Sequence, residues 1–111
     1  LVNRNRGSGT RLLIDALLAD LGPGPRPSGY AHEARSHSGV AACVAQGRAD
    51  WGVAISTVAH DAGLAFTPIR AERYDFVIPR ARRDRPPVQA LLRLLADPDV
   101  RADLRAAGFL A

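Results

Sequence analysis

Apolar residues recur at helical spacing in four stretches of the chain and cluster into short runs between them. Leu13 and Leu17 form one stripe with Ile14 and Leu18 beside it, which predicts a helix from about Thr10 to Asp20, stopped by Gly22-Pro23-Gly24-Pro25. Val40, Ala41, Val44 and Ala45 predict a second helix opened by Arg35-Ser36-His37-Ser38, with Gly47 at the position of a C-terminal cap. Val88, Leu91, Leu92 and Leu95 mark another. Asp97-Pro98 starts a last one, with Val100 and Leu104 turned inward and Gly108 at its end. Ser56-Thr57 opens a shorter helix through Ala62, closed by Gly63. The remaining apolar runs read as strands: the tail at Leu1-Val2-Asn3, a short one around Gly29–His32, Trp51–Ile55, Leu64–Ile69, and the alternating Tyr74–Ile78 ended by Pro79.

The resulting order is β-α-β-α-β-α-β-β-α-α. Strands alternating with helices imply an α/β fold, a mainly parallel sheet flanked by helices on both faces. No repeat, low-complexity tract or second domain interrupts residues 1–111, so the whole is read as one lobe-sized domain. Cys43 falls inside a helical pattern and is expected to be a small buried hydrophobe. Trp51 is expected in the core, and Asp50 is expected to pin the turn before it.

Composition adds little to that outline and removes some function classes. The chain is 47% hydrophobic and 23% charged, ordinary for a globular domain. No apolar run approaches the roughly 20 residues needed to cross a bilayer, so no membrane partner is expected, and a targeting segment could lie upstream of residue 1. The chain begins at Leu1 and contains no Met, which suggests a piece of a longer protein. Net charge is +4, with Arg supplying every basic side chain. The arginines are spread along the chain among acidic residues, and the densest cluster, Arg80–Arg85, lies in a proline-bounded loop, which reads as a solvated face and not a nucleic-acid groove.

Candidate chemistry gathers where strands give way to helices. Asn3-Arg4-Asn5-Arg6-Gly7-Ser8-Gly9-Thr10-Arg11 is a polar turn leading into the first helix, with Ser8 and Thr10 as candidate N-caps. Free N–H groups, hydroxyls and the positive end of a helix dipole suit an anion, although such turns also simply cap helices. Ser36/Ser38 and Ser56/Thr57 open later helices in the same way. In an open α/β sheet such turns gather at the carboxyl ends of the strands, where ligands bind. The P-loop pattern is excluded because the chain has no Lys, and Gly-Ser-Gly-Thr is not a dinucleotide fingerprint. His32, His37 and His60 lack zinc-motif spacing. There is no GxSxG elbow, and His60-Asp61 makes no recognisable triad. No catalytic residue, metal site or cofactor is therefore expected.

Three ordered motifs carry a family resemblance over nearly the whole chain. Val2–Arg11 resembles the VNRxxGSGTR signature of periplasmic-binding-protein-like domains found in bacterial molybdate-related proteins and helix-turn-helix regulators. Ser36–Ala41 with Val44–Gly52 resembles the SHxAVAxxVAxGxADxG segment, and Glu72–Pro79 resembles the ERYDLVIP return strand. The resemblance implies one lobe of a type II solute-binding fold, the C-terminal one, with a first lobe preceding it. It implies a non-catalytic, effector-sensing domain for a small oxyanion such as molybdate, or for a molybdopterin-related, pterin-like compound. A LysR-like or molybdate-responsive regulator is the leading context, with DNA bound only through a separate upstream domain and a cytoplasmic location. A transporter-linked, periplasmic solute-binding protein and a domain appended to a molybdenum cofactor biosynthesis enzyme are the alternatives. Ligand-facing positions carried over are Ser8, Gly9 and Thr10, then Ser36 and His37, with Ser56 where molybdate-binding relatives can carry a tyrosine that this chain lacks. Exposed edges and apolar surface make a homo-oligomer a further expectation.

Overall fold

The computed structural model describes residues 1–109. In chain order they form β1 (Asn3–Arg4), α1 (Gly9–Asp20), β2 (Glu33–Ala34), α2 (His37–Ala45), α3 (Ser56–Asp61), a 3-10 turn (Arg80–Arg82), α4 (Pro86–Ala96) and α5 (Pro98–Ala106). They divide into two compact units, Leu1–Thr67 and Pro68–Ala111.

The first unit is built on β1. β2 pairs with it in parallel, Asn3 opposite Glu33 and Arg4 opposite Ala34. On its other side Val2 forms a parallel bridge with Gly52, and the Val2 N–H donates to the Trp51 carbonyl at 3.0 Å. Val2, Ala34, Val40 and Cys43 make the buried core, with Val44, Ala49 and Ala54 packed against it. The chain crosses that core closely at Gly52. A Cβ there would stand 2.5 Å from Val40 Cγ1 and 2.9 Å from Val2 Cγ1, so only glycine lets this segment reach the bridge. α1 packs against β1, and α2 against both β2 and α3. Ile14 carries the burial of α1 at 2% exposure, whereas Leu17 is 38% exposed.

The sheet is narrower than the hydrophobic runs suggest. The fold is a small mixed α/β one with a two-stranded parallel sheet, and among the described residues no further ladder forms. Gly29–His32 is not a strand. Tyr30 N–H donates to the Pro27 carbonyl (3.0 Å) and His32 N–H to the Gly29 carbonyl (2.8 Å), two successive turns that deliver the chain to β2. Gly29 holds φ at +86°, and a side chain there would strike the Leu1 carbonyl. Trp51–Ile55 pairs only at its Gly52 bridge, and Trp51 is 46% exposed, outside the core it was expected to join. Leu64–Ile69 and Tyr74–Ile78 carry no regular secondary structure, and among the described residues neither joins a ladder. Alternation predicts a strand only where a partner strand exists.

In the second unit α4 packs against α5. Asp97 ends one helix and begins the next, its Oδ1 accepting from the N–H groups of Asp99 (2.8 Å) and Val100 (3.4 Å). Proline in the first turn of each helix agrees with the missing donor at those positions. No residue from 68 to 109 is buried. No helix among the described residues is long and apolar enough to cross a membrane.

Candidate functional site

Two helices leave two adjacent parallel strands at their carboxyl ends. After β1, the Ser8 N–H donates to the Asn5 carbonyl (3.3 Å), and the Ser8 side chain caps α1 by accepting from the Arg11 N–H at 3.1 Å. After β2, the Ser36 hydroxyl accepts from the Gly39 N–H at 3.0 Å and its carbonyl from the Val40 N–H at 3.1 Å. Both caps have extended backbone, the geometry that aims a short hydroxyl side chain back at the first turn. The Asn5 N–H donates to the Ala34 carbonyl at 3.1 Å and ties the two strand ends together.

The positions singled out from sequence fall as follows. Ser8 and Ser36 are the N-caps, and Gly9 and His37 are the first residues of α1 and α2. Thr10 lies within α1 and is buried at 6% exposure, so the capping role belongs to Ser8. Ser56 begins α3 and is exposed. The cap position there is Ile55, which offers no side-chain hydrogen bond, so this third helix start lacks the capped geometry of the other two. The N–H groups of Gly9 and Thr10, and that of Ser38 in α2, have no acceptor among the described residues. Cys43 is buried and free. Among the described residues no group of three His, Cys, Asp or Glu side chains could hold a metal.

Beside these starts lies a charged network that the hydroxyl pattern did not reveal. Arg11, 5% exposed, donates from Nε to both carboxylate oxygens of Asp15 (3.1 and 3.0 Å). Its Nη1 donates to Glu33 Oε1 (2.9 Å) and to the Arg4 carbonyl (3.0 Å). The Tyr30 hydroxyl donates to Asp15 Oδ1 at 2.7 Å, and the Tyr30 ring lies under the guanidinium groups of Arg11 and Arg26, 4.7 and 5.1 Å from its centre. The Tyr30 hydrogen bond, followed by Arg11, holds the Asp15 carboxyl below its ordinary value against the opposing effect of desolvation. Arg11 is in turn held protonated more firmly than usual, by Tyr30 first and then by Asp15 and Glu33. The Asn3 side chain completes the frame: Nδ2 donates to the Tyr30 carbonyl (3.0 Å) and Oδ1 accepts from the Arg4 N–H (2.9 Å).

Arg4 belongs to the same strand and has different company. It is 8% exposed, and its Nη1 donates to His37 Nδ1 at 3.1 Å. An arginine has no acceptor, so His37 Nδ1 carries the lone pair in this contact. Sequence offered one clue to the network, the i,i+4 spacing of Arg11 and Asp15. It offered none for Arg4, since a two-residue polar strand gives no periodicity from which to read burial.

Comparison with known proteins agrees with this architecture. A family model described as a PBP superfamily domain matches residues 1–96. The "Uncharacterized protein YvgK" of Bacillus subtilis (strain 168) is 32% identical over 105 residues, which cover 94% of this chain and 33% of that protein. The chain thus spans about a third of the length of that relative. No solved structure gives a significant match. With most of its length under the model, the chain belongs to the PBP-like family of the periplasmic-binding-protein superfamily.

Proposed function

We propose that this chain is a non-catalytic ligand-binding segment that holds a small anion at the carboxyl ends of β1 and β2. The observation that carries the reading is the pair of serine-capped helix starts, Ser8 on α1 and Ser36 on α2, issuing from two hydrogen-bonded parallel strands. Each start directs N–H groups and a partial positive charge to the same edge of the sheet. Membership of a binding-protein superfamily agrees with a binding role. The ligand class is a compact oxyanion such as molybdate, or the acid group of a larger pterin-like molecule, with Gly9 and His37 as further contacts. In a longer regulator, closure around the ligand would shift the equilibrium seen by an attached DNA-binding domain. A transporter-linked binding protein would use the same edge with a different readout.

The test is calorimetric titration with molybdate, with sulfate as the control. Selective heat that disappears in a Ser8→Ala, Ser36→Ala double variant supports the reading. Silence toward simple oxyanions and toward small organic acids would overturn it.

A further inference from the structure

The charges around β1 do not balance. Arg11 meets two carboxylates, Asp15 and Glu33, within hydrogen-bond distance. Arg4, one strand position from the same carboxyl edge and more than nine-tenths buried, meets no carboxylate among the described residues. Its Nε is shut off from solvent and has no hydrogen-bond partner. The side chain it does meet, His37, adds no negative charge and is the first residue of α2, where the helix itself contributes partial positive charge. Next along the chain, Asn5 Oδ1 is also buried without a partner, and its Nδ2 makes only a 3.4 Å contact to the Arg6 carbonyl. Buried guanidinium groups are ordinarily paired, and a buried polar atom without a partner calls for a specific explanation, a bound ion among them.

We propose that Arg4 is the charged contact of the binding site, neutralised on binding by an oxyanion or carboxylate group seated between its guanidinium and the first turn of α2. The inference rests on the anion-binding reading above and names the residue that supplies the charge there. It differs from that reading in its energetics. Serine hydroxyls and helix N–H groups can also donate to neutral oxygens, whereas a desolvated guanidinium with no internal counterion selects strongly for a full negative charge. Arg4 is fixed for that task on three sides: its N–H donates to Asn3 Oδ1, its carbonyl accepts from Arg11, and Nη1 donates to His37 Nδ1.

The experiment compares wild type with Arg4→Met, which keeps the apolar stem, and Arg4→Lys, which keeps the charge and loses the planar fork. Each is melted in anion-poor buffer and titrated with molybdate, sulfate, phosphate and acetate, so that inorganic anions are separated from a carboxylate. Expected are a melting temperature for Arg4→Met at or above that of wild type, affinity lowered by at least about thirtyfold in Arg4→Met, and an intermediate loss in Arg4→Lys. A clear fall in the anion-poor melting temperature of Arg4→Met, or its failure to fold, would make Arg4 a structural residue and overturn the inference without touching the binding reading. So would affinity for the bound anion within about threefold of wild type. A wild-type protein silent toward all four anions overturns the inference together with the oxyanion reading, and binding of larger organic acids would then show whether the broader reading survives.

Discussion

Tyr30 joins three parts of the first unit through one residue. Its hydroxyl donates to Asp15 on α1, its ring supports two guanidinium groups, and its carbonyl is held by the Asn3 amide on β1. Replacing it with Phe keeps the ring and removes the donor. Asp15 has its carboxyl lowered in the folded state, so the stabilisation is present above the unfolded value of about 3.9 and is lost as pH falls through the lower, folded one. Tyr30→Phe is therefore expected to lower stability by about 1 kcal/mol at pH 7, a figure at the modest end because Asp15 is partly exposed. The deficit should shrink as pH falls through the lowered folded-state value, beyond which Asp15 is protonated in both states. Urea unfolding at several pH values, with NMR titration of the Asp15 carboxyl, checks both size and sign. Arg11→Lys is a harsher change. A single ammonium cannot reach Asp15, Glu33 and the Arg4 carbonyl together, and a loss of about 2 kcal/mol is expected in the same unfolding assay.

At the scale of elements, the helices depend on local chemistry and the strands do not. Ser8 and Ser36 each satisfy one first-turn N–H, so Ser8→Ala or Ser36→Ala should cost about 1 kcal/mol by thermal unfolding, the usual worth of such a cap. Gly52 is limited by space. A Cβ inserted between Val40 and Val2 forces the core apart, and Gly52→Ala is expected to cost about 1–3 kcal/mol in the same assay. This contrast also explains what was legible in the sequence. Helices were readable because caps and stops lie within a few residues: Ser36 and Gly47 bracket α2, and Asp97 opens α5. Strands were over-read because pairing depends on a distant partner. Tyr74–Ile78 alternates as a strand should, yet Tyr74, Phe76 and Val77 are all exposed and unpaired. Glu33–Ala34, a true strand, has no pattern of its own and is set by the turns at Gly29 and Tyr30. At the site, Ser8 and Ser36 were legible for the same local reason. The burial of Arg4 was not, because it follows from the meeting of β1 with α2, residues separated by more than thirty positions in the chain.

The whole molecule divides its stability unevenly, and that division is open to measurement. Among the described residues every buried one lies in the first unit, where Val2, Ala34, Val40 and Cys43 form the core around the strand pair. In the second unit α4 and α5 pack on each other, but every residue from 68 to 109 keeps part of its surface in water. Burial of apolar area is the main source of cooperative stability, so opening α4 and α5 costs less than opening the core around β1. Native-state hydrogen exchange should show it directly. Amides of α1 and α2 away from their first turns are expected to exchange only through the most costly openings, while those of α4 and α5 exchange through smaller ones by at least about tenfold faster rates, a difference of about 1.4 kcal/mol. A bound anion at the β1–β2 edge would widen the gap, because it stabilises the unit that contains its contacts, by about 2.7 kcal/mol at a hundred times its dissociation constant. Equal protection of the two units without ligand would mean that the exposed faces of α4 and α5 are covered in solution. Sedimentation would then show whether a second copy of the chain covers them.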